Sequence, residues 1–208
     1  MRTTNIVMAV AAIAAISVMP ARAQSVDDRS GLYADIGINY TWPSITIDVG
    51  SGPSTTGKSS DLGYTAAIGV GLKNNKVRFG AQYDYFVKND FAGVTSLKST
   101  TQFMTAAITF YPSSAKNSLT SAVWIKVNLG YGTEGLSVSG SSGSGGGFAW
   151  GLALGRDVMA SGSSLAISPS ISYLNLTQTG DFGGDLSGTG TKSNAQFLQI
   201  GFTIGYKH

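Results

Sequence analysis

The sequence has no cysteine, one histidine and few charges, and each shortage removes a class of function. Without thiols there is neither a disulfide framework nor a cysteine-ligated metal site. His208 alone supplies little for metal or acid-base chemistry, so neither a metal centre nor a cofactor is expected. Charged residues make up 12% of the 208-residue chain, against roughly a quarter in a soluble domain. The apolar run Ile6–Met19 has 14 residues, short of the roughly 20 that cross a bilayer as a helix, so a retained helical anchor is the weaker reading. Arg2 before that run and Ala21-Arg22-Ala23 after it predict a signal peptide, residues 1–23, cleaved after Ala23. Without Arg2 and Arg22 the 14 basic residues fall to 12 against 11 acidic, a formal +1, which leaves no argument for a nucleic-acid partner.

What the chain does have is alternation. Leu198, Ile200, Phe202, Ile204 and Tyr206 occupy one phase, and Gln199, Gly201, Thr203, Gly205 and Lys207 the other. Successive side chains of a strand point to opposite sides, so this predicts an extended strand with one apolar face and one polar or small face. Seven earlier segments repeat the pattern, at about residues 31–42, 61–72, 77–85, 99–110, 121–132, 148–156 and 165–173. The connections after the first, third, fifth and seventh are long and polar, and the other three are shorter. Such asymmetry, with an even strand number and a strand at the end, predicts an all-β fold. The expected architecture is an eight-stranded antiparallel up-and-down transmembrane β-barrel over residues 24–208, in a Gram-negative outer membrane, with both termini in the periplasm. Residues 133–147 are almost pure Gly and Ser around Glu134 and are expected to be too flexible to pack.

The outward face follows from cost. Lys126 aimed at lipid near the midplane would cost roughly 2–4 kcal/mol, so Val123, Ile125, Val127, Leu129 and Tyr131 must face outward. In the fourth strand the two phases compete, and the more apolar set, Met104, Ala106, Ile108 and Phe110, is taken as outward. Pro169 lies in the seventh strand and implies a local bulge or a missing ladder bond. On the outward faces Tyr40, Trp42, Tyr64, Tyr85, Tyr131, Phe148, Trp150 and Tyr173 fall at the long-loop ends, and Phe79, Phe110 and Tyr206 near the other ends. They are expected to form two aromatic girdles at the membrane interfaces. The inward set brings charges of both signs, Asp35, Arg78, Asp84, Lys126 and Lys207, into a lumen narrow enough for side chains to fill. Unpaired buried charges are costly, so these are expected to pair as a hydrogen-bonded plug.

The mature chain resembles the small eight-stranded outer-membrane barrels, the superfamily of OmpA-like, OmpX-like and opacity-like surface proteins. The resemblance lies in the pattern, and at the C-terminus in Leu198, Ile200, Phe202, Ile204 and Tyr206 at alternate positions, with His208 where the family ends in phenylalanine. It implies recognition of the last strand by the barrel-assembly machinery, and a setting in outer-membrane lipid. Lipid-modifying barrels of this size use serine, histidine and carboxylate arrangements. The terminal His208 does not suit one, and an enzyme is not expected.

Gly180-Asp-Phe-Gly-Gly-Asp185 is loosely like a calcium-binding glycine/aspartate repeat but occurs once, and is read as a loop. Residues 140–147 are rich in glycine without the Lys-Ser/Thr of a phosphate loop. The expected function is a structural or surface-interaction role, with the external loops meeting a ligand or host surface. The alternatives are a narrow porin-like channel for small solutes and a soluble lipocalin-like ligand-binding barrel.

Overall fold

An extended backbone leaves N–H and C=O groups unpaired at both edges of a sheet, and hydrocarbon offers them no partner, so a sheet can cross a membrane only when closed. The computed structural model describes residues 30–50, 52–58, 60–73, 76–89, 97–112, 122–159, 165–177 and 179–207. Among these, the strands are β1 (Gly31–Val49), β2 (Thr55–Lys58), β3 (Asp61–Gly71), β4 (Val77–Lys88), β5 (Leu97–Phe110), β6 (Val123–Val138), β7 (Ser141–Arg156), β8 (Val158–Met159), β9 (Leu165–Leu176) and β10 (Thr191–Lys207). β2 and β8 are short additions to the edges of β1 and β9. The other eight pair antiparallel with their neighbours, and β10 closes onto β1.

Cross-strand partners followed once around the sheet lead from Ala34 through Ile68, Ala81, Ala106, Leu129, Trp150, Asn175 and Gln196 back to β1 at Ser44, ten residues beyond the start. Eight strands with this stagger tilt about 40° from the barrel axis. About ten tilted residues of each strand then span the roughly 25 Å apolar band of an outer membrane.

The alternation fixes the facing. Leu32, Ile36, Ile68, Met104, Leu129, Leu152 and Phe202 are exposed around the outside, whereas Asn39, Arg78, Gln82, Asp84, Asn128 and Gln199 are buried inside. In β5 the more apolar phase is outward: Met104, Ile108 and Phe110 are exposed, and Phe103, Thr105, Ala107 and Thr109 are buried.

Several strands run further than the sequence predicts. β1 passes through Trp42-Pro43 to Val49, because the pairing with β3 ends at Thr41 and that with β2 begins at Ser44. Pro43 thus lies where one side of the ladder is already interrupted. Pro169 does the same: β7 pairs with β9 up to Gly155↔Ser170 and β8 resumes at Val158↔Ile167 in unchanged register, so a gap in the ladder, without a bulge, accommodates the proline. β4 reaches Lys88 and β5 starts at Leu97, shortening the loop expected over 87–98.

The largest departure concerns residues 133–147, expected as a loose loop. They continue β6 and β7 as a ladder closed by a two-residue turn at Ser139 (φ 48°) and Gly140 (φ 93°). Positive φ at both central residues is the geometry whose twist matches a hairpin. Gly and Ser carry little pattern, yet their backbones pair as well as any.

The expected loop 176–194 is likewise mostly ordered: β9 ends at Leu176, β10 begins at Thr191, and a 3-10 turn lies at Gly184–Leu186. The signal peptide with its cleavage site, Asp90, His208, the side chain of Lys207, and most of the turns near 74–75, 113–121 and 160–164 lie outside the described residues.

Candidate functional site

Inward side chains of an eight-stranded barrel meet across its axis, so the lumen is the natural candidate site. At the end of the barrel where β1 begins and β10 ends, Asp157 is 1% exposed and gathers four partners. Tyr111 Oη donates to its Oδ2 at 2.9 Å, Trp124 Nε1 and Ser168 Oγ donate to its Oδ1 at 3.0 and 2.8 Å, and Arg78 Nη1 lies 3.8 Å from Oδ2. Arg78 also donates to Tyr111 Oη at 2.9 Å and lies over the rings of Tyr33 and Tyr111, 5.3 and 5.2 Å from their centroids. A desolvated cation over an aromatic face gains about 2 kcal/mol, and here two rings flank one guanidinium. Gly155 makes room for this cluster, because a Cβ there would collide with the six-membered ring of Trp124.

One level up, Lys126 Nζ donates to Gln82 Oε1 at 2.6 Å, and Gln82 Nε2 donates to both carboxylate oxygens of Asp84 at 3.1 and 2.8 Å. Gln82 therefore bridges a cation and an anion. The expected lumen charges divide into two groups: Lys126 reaches Asp84 through Gln82, while Arg78 pairs with Asp157. Asp35 sits on the inner face of β1 against Gly205. Asp35, Arg78, Gln82, Lys126 and Asp157 share the wall of a cavity of about 30 Å³, room for about two water molecules.

Towards the opposite end the lumen turns apolar, although a polar plug was expected. Phe86 of β4, Phe103 of β5 and Phe197 of β10 meet at centroid separations of 4.6, 5.5 and 6.0 Å. Ile45, Leu174, Leu176, Ala149 and Ala195 complete a buried cluster around them. The rings fit because Gly63 leaves its face free for Phe86. The alternation does carry this plug: Phe86, Phe103 and Phe197 continue the inward phase of their strands. Asp157 and Tyr111 continue theirs too, past points where turns were expected.

Above the plug, beyond the apolar band, Glu134 of β6 is 0% exposed. Ser99 Oγ donates to its Oε1 at 2.5 Å, and Thr101 Oγ1 donates to Oε2. Burial pushes its pKa up to about 7 against the downward pull of the two hydroxyls.

The aromatic side chains expected at the interfaces all lie in the outward phase. Tyr40 and Trp42 meet edge to face at 4.9 Å, and Trp150 and Tyr173 lie 5.5 Å apart. Tyr64 stands opposite Tyr85, and Tyr131 opposite Phe148. Phe79, Phe110 and Tyr206 are exposed at the other end. Of the aspartates in the glycine/aspartate stretch, Asp185 Oδ2 accepts from Ser142 N at 2.8 Å and Asp181 pairs with Lys192 at 3.6 Å.

No family model and no curated protein matches the chain. Solved structures do. Neisserial surface protein A aligns over 86% of this chain and 98% of its own at 14% identity, with a TM-score of 0.53. Ail, the attachment invasion locus protein of Yersinia pestis, solved with a heparin analogue, aligns over 83% and 98% at 15% identity and a TM-score of 0.45. The outer membrane protease OmpT of Escherichia coli aligns over 85% and 96% at 9% identity and 0.45. Closed topology, apolar exterior and the first of these alignments together give the chain the fold of the small eight-stranded outer-membrane β-barrels.

Proposed function

We propose that this barrel is a non-enzymatic anchor that displays an ordered head on the cell surface, with its termini in the periplasm and its last strand read by the barrel-assembly machinery. The supporting observation is a lumen filled from end to end by paired charges and the Phe86–Phe103–Phe197 cluster, while the sheet continues above the apolar band. In that head β2 pairs with β1 at Ser44–Ile47, and residues 179–183 bond to both β7 and β10. The strand-paired backbone of β1, β2, β6 and β7 presents a fixed surface to a ligand or host molecule without the entropy loss of ordering a free loop on binding. The girdle aromatics hold the barrel at its two interfaces, and the lumen charges serve stability.

The absence of native cysteine offers a clean test. A thiol introduced at exposed Ser187 in the head should react with a membrane-impermeant maleimide on intact cells. One introduced at exposed Lys73, at the opposite end of β3, should react only after the outer membrane is permeabilised. The reverse pattern would invert the barrel and end the surface reading.

A further inference from the structure

Residues 179–190 are held in the head by a small set of bonds. Gly180 N donates to Gly146 O at 3.0 Å, Gly183 N to Ser144 O at 2.9 Å, and Phe182 N to Thr191 O at 3.0 Å. Together with the bond from Ser142 N to Asp185, these hold the segment between β7 and β10. Phe182 is buried, and its ring rests on Gly145, where a Cβ would collide with it. Gly145 is the cross-strand partner of Glu134, on the same inward face. Fully buried Glu134 thus has the Phe182 ring over its cross-strand partner, buried Leu136 two residues along on the same face, and Phe103 and Leu176 packed at Gly132 two residues the other way.

Among the described residues no charge offsets this burial. β5 offers Ser99 and Thr101 and turns Lys98 outward; β7 contributes only Ser and Gly over 141–147; β9 has no ionisable group near its upper end. In the segment itself, Asp185 is bonded to Ser142 and Asp181 to Lys192, while Asp48 of β1 and Lys192 of β10 are register partners on the outer face. A carboxylate held by two hydroxyls in an apolar box is poorly solvated, and the simplest relief is to let water in by lifting Phe182.

We propose that residues 179–190 are a pH-responsive lid set between β7 and β10, closed while Glu134 holds its proton and loosened when Glu134 ionises. The closed form binds the proton more tightly than the open form. Closure is therefore strongest below the ordinary glutamate range, weakens as pH rises, and changes little above about pH 7, where Glu134 is ionised in both forms.

Amide exchange by NMR on the folded protein in nanodiscs, expressed as protection factors, reads this directly. At Gly180, Phe182 and Gly183 protection should fall by about tenfold per pH unit between pH 5 and 7 and level off above. Glu134→Gln should hold it flat at the low-pH value. Flat protection in the unmodified protein, or an equal slope in Glu134→Gln, overturns the proposal. A second variant guards against misfolding of the first: Phe182→Ala should return the Glu134 carboxyl titration to about 4.3, the ordinary glutamate value. A titration that stays near 7 there would mean that the lid does not enclose the group.

Discussion

Arg78 illustrates how a charge is held inside a barrel: by a carboxylate whose remaining lone pairs are all taken, and by two ring faces. Removing one member of such a set is costlier than the pair is worth, since the other is left buried and unmatched. Asp157→Ala should therefore destabilise the barrel by about 3–5 kcal/mol, seen as an earlier urea midpoint in lipid vesicles, and Asp157→Asn by less. Equal midpoints for all three proteins would remove the network from the stability account. Gly155→Val tests the fit rather than the charge, because its side chain must displace the Trp124 ring from Asp157; a loss of about 1–3 kcal/mol is expected. At this scale the sequence was informative wherever phase alone decides facing, as for Arg78, Asp84 and Lys126. It was silent on partners: Asp157 lies one step past the expected end of its strand, and only a ladder that skips Pro169 brings it inside.

For the strands, the membrane band was legible because lipid demands apolar outward residues, and the alternation from Leu62 to Leu72 or Val123 to Tyr131 records that demand. Above the band the outward face meets water and the demand ends. Val138, Ser139, Gly140 and Ser141 then read as loop although they form a tight hairpin. Depth should also grade the cost of a misplaced cation. Leu129→Arg, at a residue 50% exposed near mid-band, should cost roughly 2–4 kcal/mol, whereas Leu32→Arg at the rim where β1 begins should cost about 0–1. Equal costs in vesicle unfolding would contradict the placement of the band. Deleting Ser139 to Gly146 removes the hairpin tip and the seat of Phe182, but no residue of the band. The heat-shifted gel band of the folded barrel should persist while amide protection at Gly183 is lost.

In the whole molecule, eight strands staggered by ten residues enclose a bore that side chains can fill, and this chain fills it in two ways. Paired charges and aromatic rings occupy the part where β1 begins and β10 ends, and three phenylalanines with aliphatic neighbours fill the other part. Under the proposed anchor role the aromatic cluster denies hydrated ions a route, because stripping their water in an apolar constriction is strongly unfavourable. The central claim is that the barrel is closed. It is tested most directly by single-channel recording of residues 24–208, shown by heat-shifted mobility to be folded, in a planar bilayer. The closed lumen predicts a silent membrane at every salt concentration; discrete, reproducible steps that scale with salt would contradict it and make Lys126, Arg78 and Asp84 the residues of a conducting path.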